Sequence, residues 1–162
     1  MTKIAAYLIL FVSLSSHCIA QTTSGELDTT RATRENAQSR KAILIATNFM
    51  NDLFNGASSM DLMNKCTVPF LDKDNLILNM KDLKIYFDRV VNEFSQSLQK
   101  DHPRLDSAHV LGAQTGVFHG KTLNIYVVKV NFTFTEQAQE TSKQGVLAVQ
   151  MSDTSKIVGI SN

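Results

Sequence analysis

Cysteine is scarce in this sequence, which excludes stabilisation by a network of disulfides. The chain has two cysteines among 162 residues. Cys18 lies in an amino-terminal segment that we expect to be removed, and this leaves Cys66 without a partner for an intramolecular disulfide. The neighbours of Cys66 are apolar, so we predict a buried thiol rather than a reactive one. These neighbours are Leu62, Met63, Val68 and Phe70.

An excess of charge of either sign is also missing. The sequence carries 16 basic and 15 acidic residues, and 15 of each remain once Lys3 is removed with the amino-terminal segment. A nucleic-acid-binding surface requires a basic excess. We therefore expect no nucleic-acid partner.

Long apolar runs are absent except at the amino terminus. Lys3 precedes an apolar stretch over residues 4–14, and residues 15–20 are mostly small, which is the pattern of a secretory signal peptide. The apolar stretch is shorter than the ~20 residues of a membrane-spanning helix. We predict that residues 1–20 are cleaved, that the mature chain begins at Gln21, and that the protein is secreted or periplasmic. A lipid anchor on Cys18 is the alternative, but His17 is a poor fit where such signals have a small residue.

The remaining length predicts one domain. Removal of 20 residues leaves 142, enough to bury a single hydrophobic core. Residues 21–36 have almost no large apolar side chains and are predicted to be a flexible leader. We assign the domain to residues 37–162.

Apolar residues at helical spacing predict three helices. The first covers residues 37–55 and ends at Gly56. Ser58 or Ser59 caps a second, short helix. The third covers residues 81–98 and has the clearest apolar stripe. The stripe consists of Leu83, Tyr86, Phe87, Val90, Val91, Phe94 and Leu98.

Most of the other residues predict β-strands. Pro69 confines a short strand at residues 67–71 to a sheet edge, and a turn at residues 72–75 leads to its partner. Residues 136–144 are predicted to be a polar connection. Because hairpin-like links join the later strands, we predict an antiparallel sheet with helices on one face, in the α+β class. The expected strands after the first lie at residues 76–78, 108–118, 123–135, 145–151 and 156–160.

The longest strand changes its pattern of alternation. Leu123, Ile125 and Val127 share one face with the later apolar residues only if a bulge separates Val127 from Val128. A bulge bends a strand, so the sheet is predicted to curve around Phe49 and Phe87. In this interpretation the inward residues are all apolar and Tyr126 lies on the outer face.

The order of these elements resembles the nuclear transport factor 2-like (NTF2-like) superfamily, whose sheet curls around its helices as a cone. The segments Cys66-Thr-Val-Pro-Phe-Leu-Asp-Lys-Asp-Asn-Leu-Ile and Lys81-Asp-Leu-Lys-Ile-Tyr-Phe are similar to the small hairpin and third helix of secreted bacterial members. The resemblance covers residues 37–160 and implies a curved sheet wrapped around three amino-terminal helices. It implies either ligand binding or acid–base catalysis inside the cone, and a fold alone does not decide between them.

Four residues are candidates to line a ligand pocket in such a cone. Phe49 and Phe87 belong to the inward stripes of the first and third helices. Asp52 lies one turn from Phe49, and Tyr86 carries a hydroxyl that needs a partner if buried. A carboxylate base and a phenol would suit proton abstraction beside a carbonyl. Each residue also has a structural interpretation, Asp52 as a solvated helix end and Tyr86 as a boundary residue of the core.

Motifs for other chemistry are not present. His102, His109 and His119 have no compact metal-binding spacing, and Asp72-Lys-Asp-Asn lacks the glycine and distal glutamate of a calcium loop. The sequence contains no nucleophile elbow, phosphate-binding loop or dinucleotide fingerprint. We predict no metal and no cofactor.

These observations favour an exported, non-enzymatic domain that binds a small apolar ligand or an envelope protein. A small isomerase or dehydratase using Asp52 and Tyr86 is one alternative, and a secreted inhibitor or immunity protein is another. The outer sheet face, with Lys129 and Asn131, is interpreted either as a homodimer interface or as a solvated surface.

Overall fold

The computed structural model describes residues 28–98, 103–118, 121–136 and 139–161. Predicted features at residues 1–20, at the start of the leader, and at His102 and His119 lie outside these residues. In chain order the elements are α1 (Asp28–Phe54), α2 (Ser59–Asn64), β1 (Cys66–Asp72), β2 (Asn75–Ile77), α3 (Met80–Leu98), β3 (Arg104–Phe118), β4 (Lys121–Glu136), β5 (Gln139–Met151) and β6 (Lys156–Ser161).

The helices follow the predicted order, but the first begins earlier than its apolar stripe. Helix α1 has 27 residues and starts at Asp28, so the part of the leader from residue 28 to residue 36 is helical rather than irregular. Ser58 caps α2 as predicted, because its hydroxyl oxygen accepts a hydrogen bond from the Asp61 N–H at 3.2 Å. An apolar stripe predicts only those helical turns that contact the core. The polar turns before it have no apolar periodicity from which a helix could be predicted.

The six strands form one open sheet in the order β2-β1-β6-β5-β4-β3. The predicted α+β class is confirmed, with a correction to the sheet: β1 pairs parallel to β6, so the sheet is mixed. Strand β1 therefore lies between β2 and β6 rather than at an edge. Pro69 is accommodated because the β1–β6 register is interrupted between Cys66 and Leu71, and a proline is tolerated where ladder hydrogen bonds are missing.

The predicted bulge in β4 is wrong. The register of β4 with β5 is unbroken from Asn124 to Glu136, and the extra residues lie in β3, at Asp106 and Leu111. A bulge in a neighbouring strand bends the sheet as well as one in β4 does. The prediction assumed that every apolar residue of β4 faces the core, but only one face of the strand does.

Tyr126 is consequently inside the cone and not on the outer face. Tyr126, Val128, Val130 and Phe132 are all buried, whereas Leu123, Ile125 and Val127 alternate with them and are half-buried. The Tyr126 hydroxyl donates a hydrogen bond to Gln38 Oε1 in α1 at 2.8 Å. The inward face of β4 thus includes a tyrosine hydroxyl, which is hydrogen-bonded to the first helix.

The polar connection predicted at residues 136–144 is mostly strand. Gln139 to Gln144 pair with Glu136 to Asn131 of β4, and their side chains are exposed. Because both faces of this extension are polar, it lacks the alternation by which strands are predicted.

Large apolar side chains fill the concave side of the sheet. Phe49, Phe70 and Phe87 are at most 1% exposed, and the Phe49 and Phe87 ring centroids lie 6.1 Å apart in an edge-to-face arrangement. We call this set, together with Leu62, Leu83, Val128, Leu147, Val149 and Ile157, the cone core. Cys66 is buried beside it as predicted, and burial raises the pKa of its thiol well above the ordinary value.

Helices α1 and α3 are long, but both carry many polar residues. No helix within the described residues has both the length and the apolar character that crossing a membrane requires.

Candidate functional site

The small β1–β2 hairpin forms one wall of a pocket outside the cone core. Its turn places Lys73 at a φ of 51°, and the Lys73 N–H donates to the Ile160 carbonyl of β6 at 3.2 Å. Phe70 is paired with Ile77, and Asp72 with Asn75. The hairpin is therefore fixed to the main sheet at its tip.

The first turns of α3 form the opposite wall. Asn79 precedes the helix, and its Oδ1 accepts a hydrogen bond from the Asp82 N–H at 2.9 Å. The Asn79 side-chain amide in turn donates to Asp82 Oδ2 at 2.7 Å. The first bond satisfies a backbone N–H that would otherwise lack a partner at the helix start, and the second joins the two side chains.

A pocket of about 240 Å³ lies between these two walls. We call it the hairpin–helix pocket. Its lining combines apolar side chains with two carboxylates and one guanidinium. The lining residues are Asp72, Asn75, Ile77, Asp82, Ile85, Tyr86 and Arg89.

Tyr86 is the central polar residue of the pocket. Its hydroxyl donates a hydrogen bond to Asp72 Oδ1 at 3.2 Å, and the Arg89 guanidinium carbon lies 5.8 Å from its ring centroid. Burial raises the pKa of Tyr86, and the neighbouring Asp72 carboxylate raises it further. Tyr86 therefore stays protonated at neutral pH and acts as a hydrogen-bond donor, not as a base.

The hairpin and helix that form the pocket also carry exposed apolar residues. Seven large apolar residues are exposed among the described residues, and four of them belong to β2, the connection after it and the start of α3. These four are Leu76, Leu78, Met80 and Ile85, with exposures between 39% and 61%. We call them the apolar rim. Clustered apolar exposure of this kind is typical of interaction sites.

The predicted site residues occupy three different environments. Phe49 and Phe87 meet in the cone core, and Tyr86 lines the hairpin–helix pocket. The Asp52 carboxylate forms an ion pair with Lys65 at the surface. The structure thus brings Tyr86 to Asp72 and leaves Asp52 with Lys65.

Tyr86 is one of seven lining residues, and the other six were not predicted as site residues; among them are Asp72 and Arg89, which contact the Tyr86 side chain. Asp72 was assigned only to a turn, and Arg89 was not singled out in the third helix. Arg89 follows Tyr86 by three residues, and this spacing places two side chains on the same helix face. The sequence could therefore have indicated that Arg89 lies beside Tyr86. Asp72 offered no such signal, because the contact between hairpin and helix is set by tertiary packing.

Acidic, histidine and cysteine side chains do not gather elsewhere in a way that suits a metal. Within the residues that the structure describes, no group of three or more such side chains is placed to hold a metal ion.

Sequence comparisons identify no relatives, whereas solved structures do resemble the chain. The sequence matches no model of a known protein family and no curated protein. The solved structures that the chain resembles include NTF2-like and cystatin-like proteins, as the layout of the sequence predicts.

Three of these structures illustrate the range. An NTF2-like protein with a cystatin-like fold from Novosphingobium aromaticivorans is 8% identical, with a TM-score of 0.49, over 86% of this chain and 90% of its own. The beta subunit of the benzoate 1,2-dioxygenase from Burkholderia mallei is 12% identical, with a TM-score of 0.47, over 86% and 91%. A de novo designed NTF2-fold protein is 11% identical, with a TM-score of 0.39, over 76% and 84%. At these values no activity, ligand or partner is transferred to this chain.

Proposed function

We propose that the protein is an exported, non-enzymatic domain of the NTF2-like type that binds a protein partner at the hairpin–helix pocket. The observation that carries this proposal is the apolar rim, which belongs to the same hairpin and helix as the pocket and contributes Ile85 to its lining. A partner side chain would enter the pocket while its neighbours cover the rim. Interfaces commonly have this anatomy, with a few anchor residues in pockets and apolar contacts around them.

The size of the pocket favours a partner side chain over a small molecule. Its volume of about 240 Å³ is below the range of roughly 300–1,000 Å³ that is usual for small-molecule sites. The exposed apolar surface of Leu76, Leu78 and Met80 extends beyond the pocket and would remain in water around a small ligand. A protein surface would remove both from water together.

The arrangement of the polar groups supports binding rather than catalysis. Proton abstraction requires a base within hydrogen-bonding reach of its acid or substrate. The Tyr86 hydroxyl donates to Asp72, and Asp52 pairs with Lys65. The two members of the suggested acid–base set, Asp52 and Tyr86, are thus engaged in separate structural interactions.

Export is supported by the pattern of residues 1–20, with an apolar stretch too short for a spanning helix. An exported chain would meet its partner in the cell envelope or outside the cell. The partner class is therefore an envelope or extracellular protein.

Site-specific photo-crosslinking in the producing cells tests the proposal. A photoreactive amino acid replaces Ile85, which is 59% exposed in the apolar rim, or Leu44, which is 58% exposed on α1. The two positions are matched in size and exposure and differ in location. We expect one discrete protein adduct from position 85, none from position 44, and a recovered chain that begins at Gln21.

Two results would contradict the proposal. Equal adducts from both positions would show unspecific contact, and no protein adduct from either would remove the partner. The absence of a protein adduct together with stabilisation by a small hydrophobic compound, lost in Ile85→Asp and retained in Leu44→Asp, would favour a small apolar ligand instead.

A further inference from the structure

The lining of the hairpin–helix pocket carries more negative than positive charge. Two aspartates, Asp72 and Asp82, line it together with one arginine, Arg89. The two carboxylates belong to opposite walls, because Asp72 ends β1 and Asp82 lies in the first turn of α3. A side chain that enters between the walls therefore meets an acidic group on each side.

Hydrogen bonds from neutral groups orient both carboxylates. The Tyr86 hydroxyl donates to Asp72 Oδ1 at 3.2 Å. The Asn79 side-chain amide donates to Asp82 Oδ2 at 2.7 Å. Neutral donors hold a carboxylate in place, but they bring no opposite charge to it.

Arg89 does not neutralise the two carboxylates by direct pairing. Its guanidinium carbon lies over the Tyr86 ring, 5.8 Å from the centroid, and its side chain is exposed. The ion pairs within the described residues join other side chains, and none of them links Arg89 to Asp72 or Asp82. An entering group therefore meets carboxylates that lack a paired cation.

The apolar part of the lining restricts the entering group further. Ile77 and Ile85 contribute aliphatic surface, and Tyr86 contributes its ring. Lysine and arginine combine an apolar stem with a cationic head, so they contact both kinds of surface at once. A wholly apolar side chain would remove the carboxylates from water without an opposite charge, which is costly. An acidic side chain would bring a third negative charge into the pocket.

We propose that the partner side chain in the hairpin–helix pocket is a lysine or an arginine, with its cationic head between Asp72 and Asp82. Its stem would lie along Ile77 and Ile85. This inference rests on the proposed function and adds the chemical class of the group that the pocket selects. Like charges brought together across an interface are strongly unfavourable, so a partner that offers an acidic side chain here would be rejected.

Neutralisation of the two carboxylates tests this inference in the photo-crosslinking assay. Asp72→Asn/Asp82→Asn keeps the size of both side chains and removes both charges, so it should lower the yield of the position-85 adduct about tenfold or more. Asp74→Asn/Asp88→Asn is the matched control, because it also removes one charge from the hairpin and one from α3, at positions that do not line the pocket. We expect the control to retain the adduct. Thermal unfolding verifies that both variants are folded.

Two further measurements do not depend on the folding of the carboxylate variant. Arg89→Gln removes the positive charge from the pocket at an exposed position, and it should raise the adduct yield roughly threefold if a cation enters. Entry of a carboxylate would give the opposite change. Mass spectrometry of the adduct locates the crosslinked segment of the partner. We expect this segment to contain a lysine or arginine whose replacement by methionine abolishes the adduct.

The outcomes distinguish this inference from the proposed function. Absence of the adduct in the wild type would remove both together. An adduct that survives Asp72→Asn/Asp82→Asn, or one that weakens in Arg89→Gln, would overturn the basic side chain and leave the partner itself in place. An adduct that persists after every lysine and arginine of the crosslinked segment is replaced would do the same.

Discussion

Tyr86 and Phe87 are adjacent in α3, yet they belong to regions with opposite properties. Phe87 is fully buried in the cone core, and its ring meets Phe49 and Phe70 edge to face. Tyr86 lies half-buried in the hairpin–helix pocket, with its ring centroid 5.1 Å from that of Phe87. The boundary between the sealed and the open region therefore passes between two consecutive side chains of one helix.

This difference separates the region that stabilises the fold from the region whose apolar side chains remain exposed. The concave side of a curved sheet is an obvious place to look for a ligand. Here that interior is occupied by the chain's own aromatic side chains. The neighbouring region, formed by the hairpin and α3, instead leaves apolar groups in contact with water. Exposed apolar surface is a better candidate for an interaction site than an interior that is already filled.

The largest expected effect comes from opening the sealed region. Phe87→Ala should lower the free energy of unfolding by about 3–5 kcal/mol, because it removes a fully buried ring and leaves a cavity. Ile85→Ala, two residues earlier on the same helix, should change it by about 0.5 kcal/mol or less, since that side chain is mostly exposed. Urea denaturation of both variants measures the difference. Similar losses of unfolding free energy from the two substitutions would contradict the assignment of Phe87 to the buried region and Ile85 to the exposed one.

A smaller effect is expected from the polar group at the boundary. Tyr86→Phe removes the hydroxyl that donates to Asp72 and keeps the ring, so it should lower the free energy of unfolding by about 0.5–1.5 kcal/mol. The raised pKa of Tyr86 means that the folded state holds this proton more tightly than the unfolded state does. The hydroxyl's contribution is therefore complete below the ordinary pKa of 10 and is lost as the pH rises further.

Denaturation of wild type and Tyr86→Phe over a pH series checks this sign. The stability advantage of the wild type should shrink above pH 10, while the difference stays constant at neutral pH. An advantage that grows in alkali would mean that the phenolate, not the phenol, is the form that the folded protein prefers.

The sequence predicts the sealed region better than the open one, and the reason is physical. Apolar residues at helical spacing identify Leu83 and Phe87 as core residues, because a packed helix face imposes a period of 3.6 residues. The same period includes Tyr86 in the stripe but does not distinguish a core position from a pocket wall. The contact of Tyr86 with Asp72 depends on how the hairpin docks against α3, and residues 14 positions apart in a hairpin–helix unit carry no periodic signal.

The bend of the sheet is a second feature that the sequence of one strand does not determine. Apolar residues occur on both faces of β4, so their alternation alone allowed two assignments. In the structure the bulges lie in β3, where Asp106 and Leu111 are the extra residues. Because the curvature depends on how two strands pair, it cannot be predicted from the sequence of either strand alone.

The smallest expected effect separates Asp52 from both regions. Asp52 and Lys65 form an ion pair in which the two side chains are 36% and 41% exposed, and solvent weakens such pairs to about 0–1 kcal/mol. Asp52→Asn should therefore change the free energy of unfolding by less than about 1 kcal/mol and leave the adduct from position 85 intact. Lys65→Met serves as the matched variant, because it breaks the same pair from the other side. If Asp52→Asn instead abolished turnover of a carbonyl substrate by the wild type, with Lys65→Met still active, the carboxylate would have a chemical role that its surface pairing does not require, and the enzyme alternative would replace the binding domain.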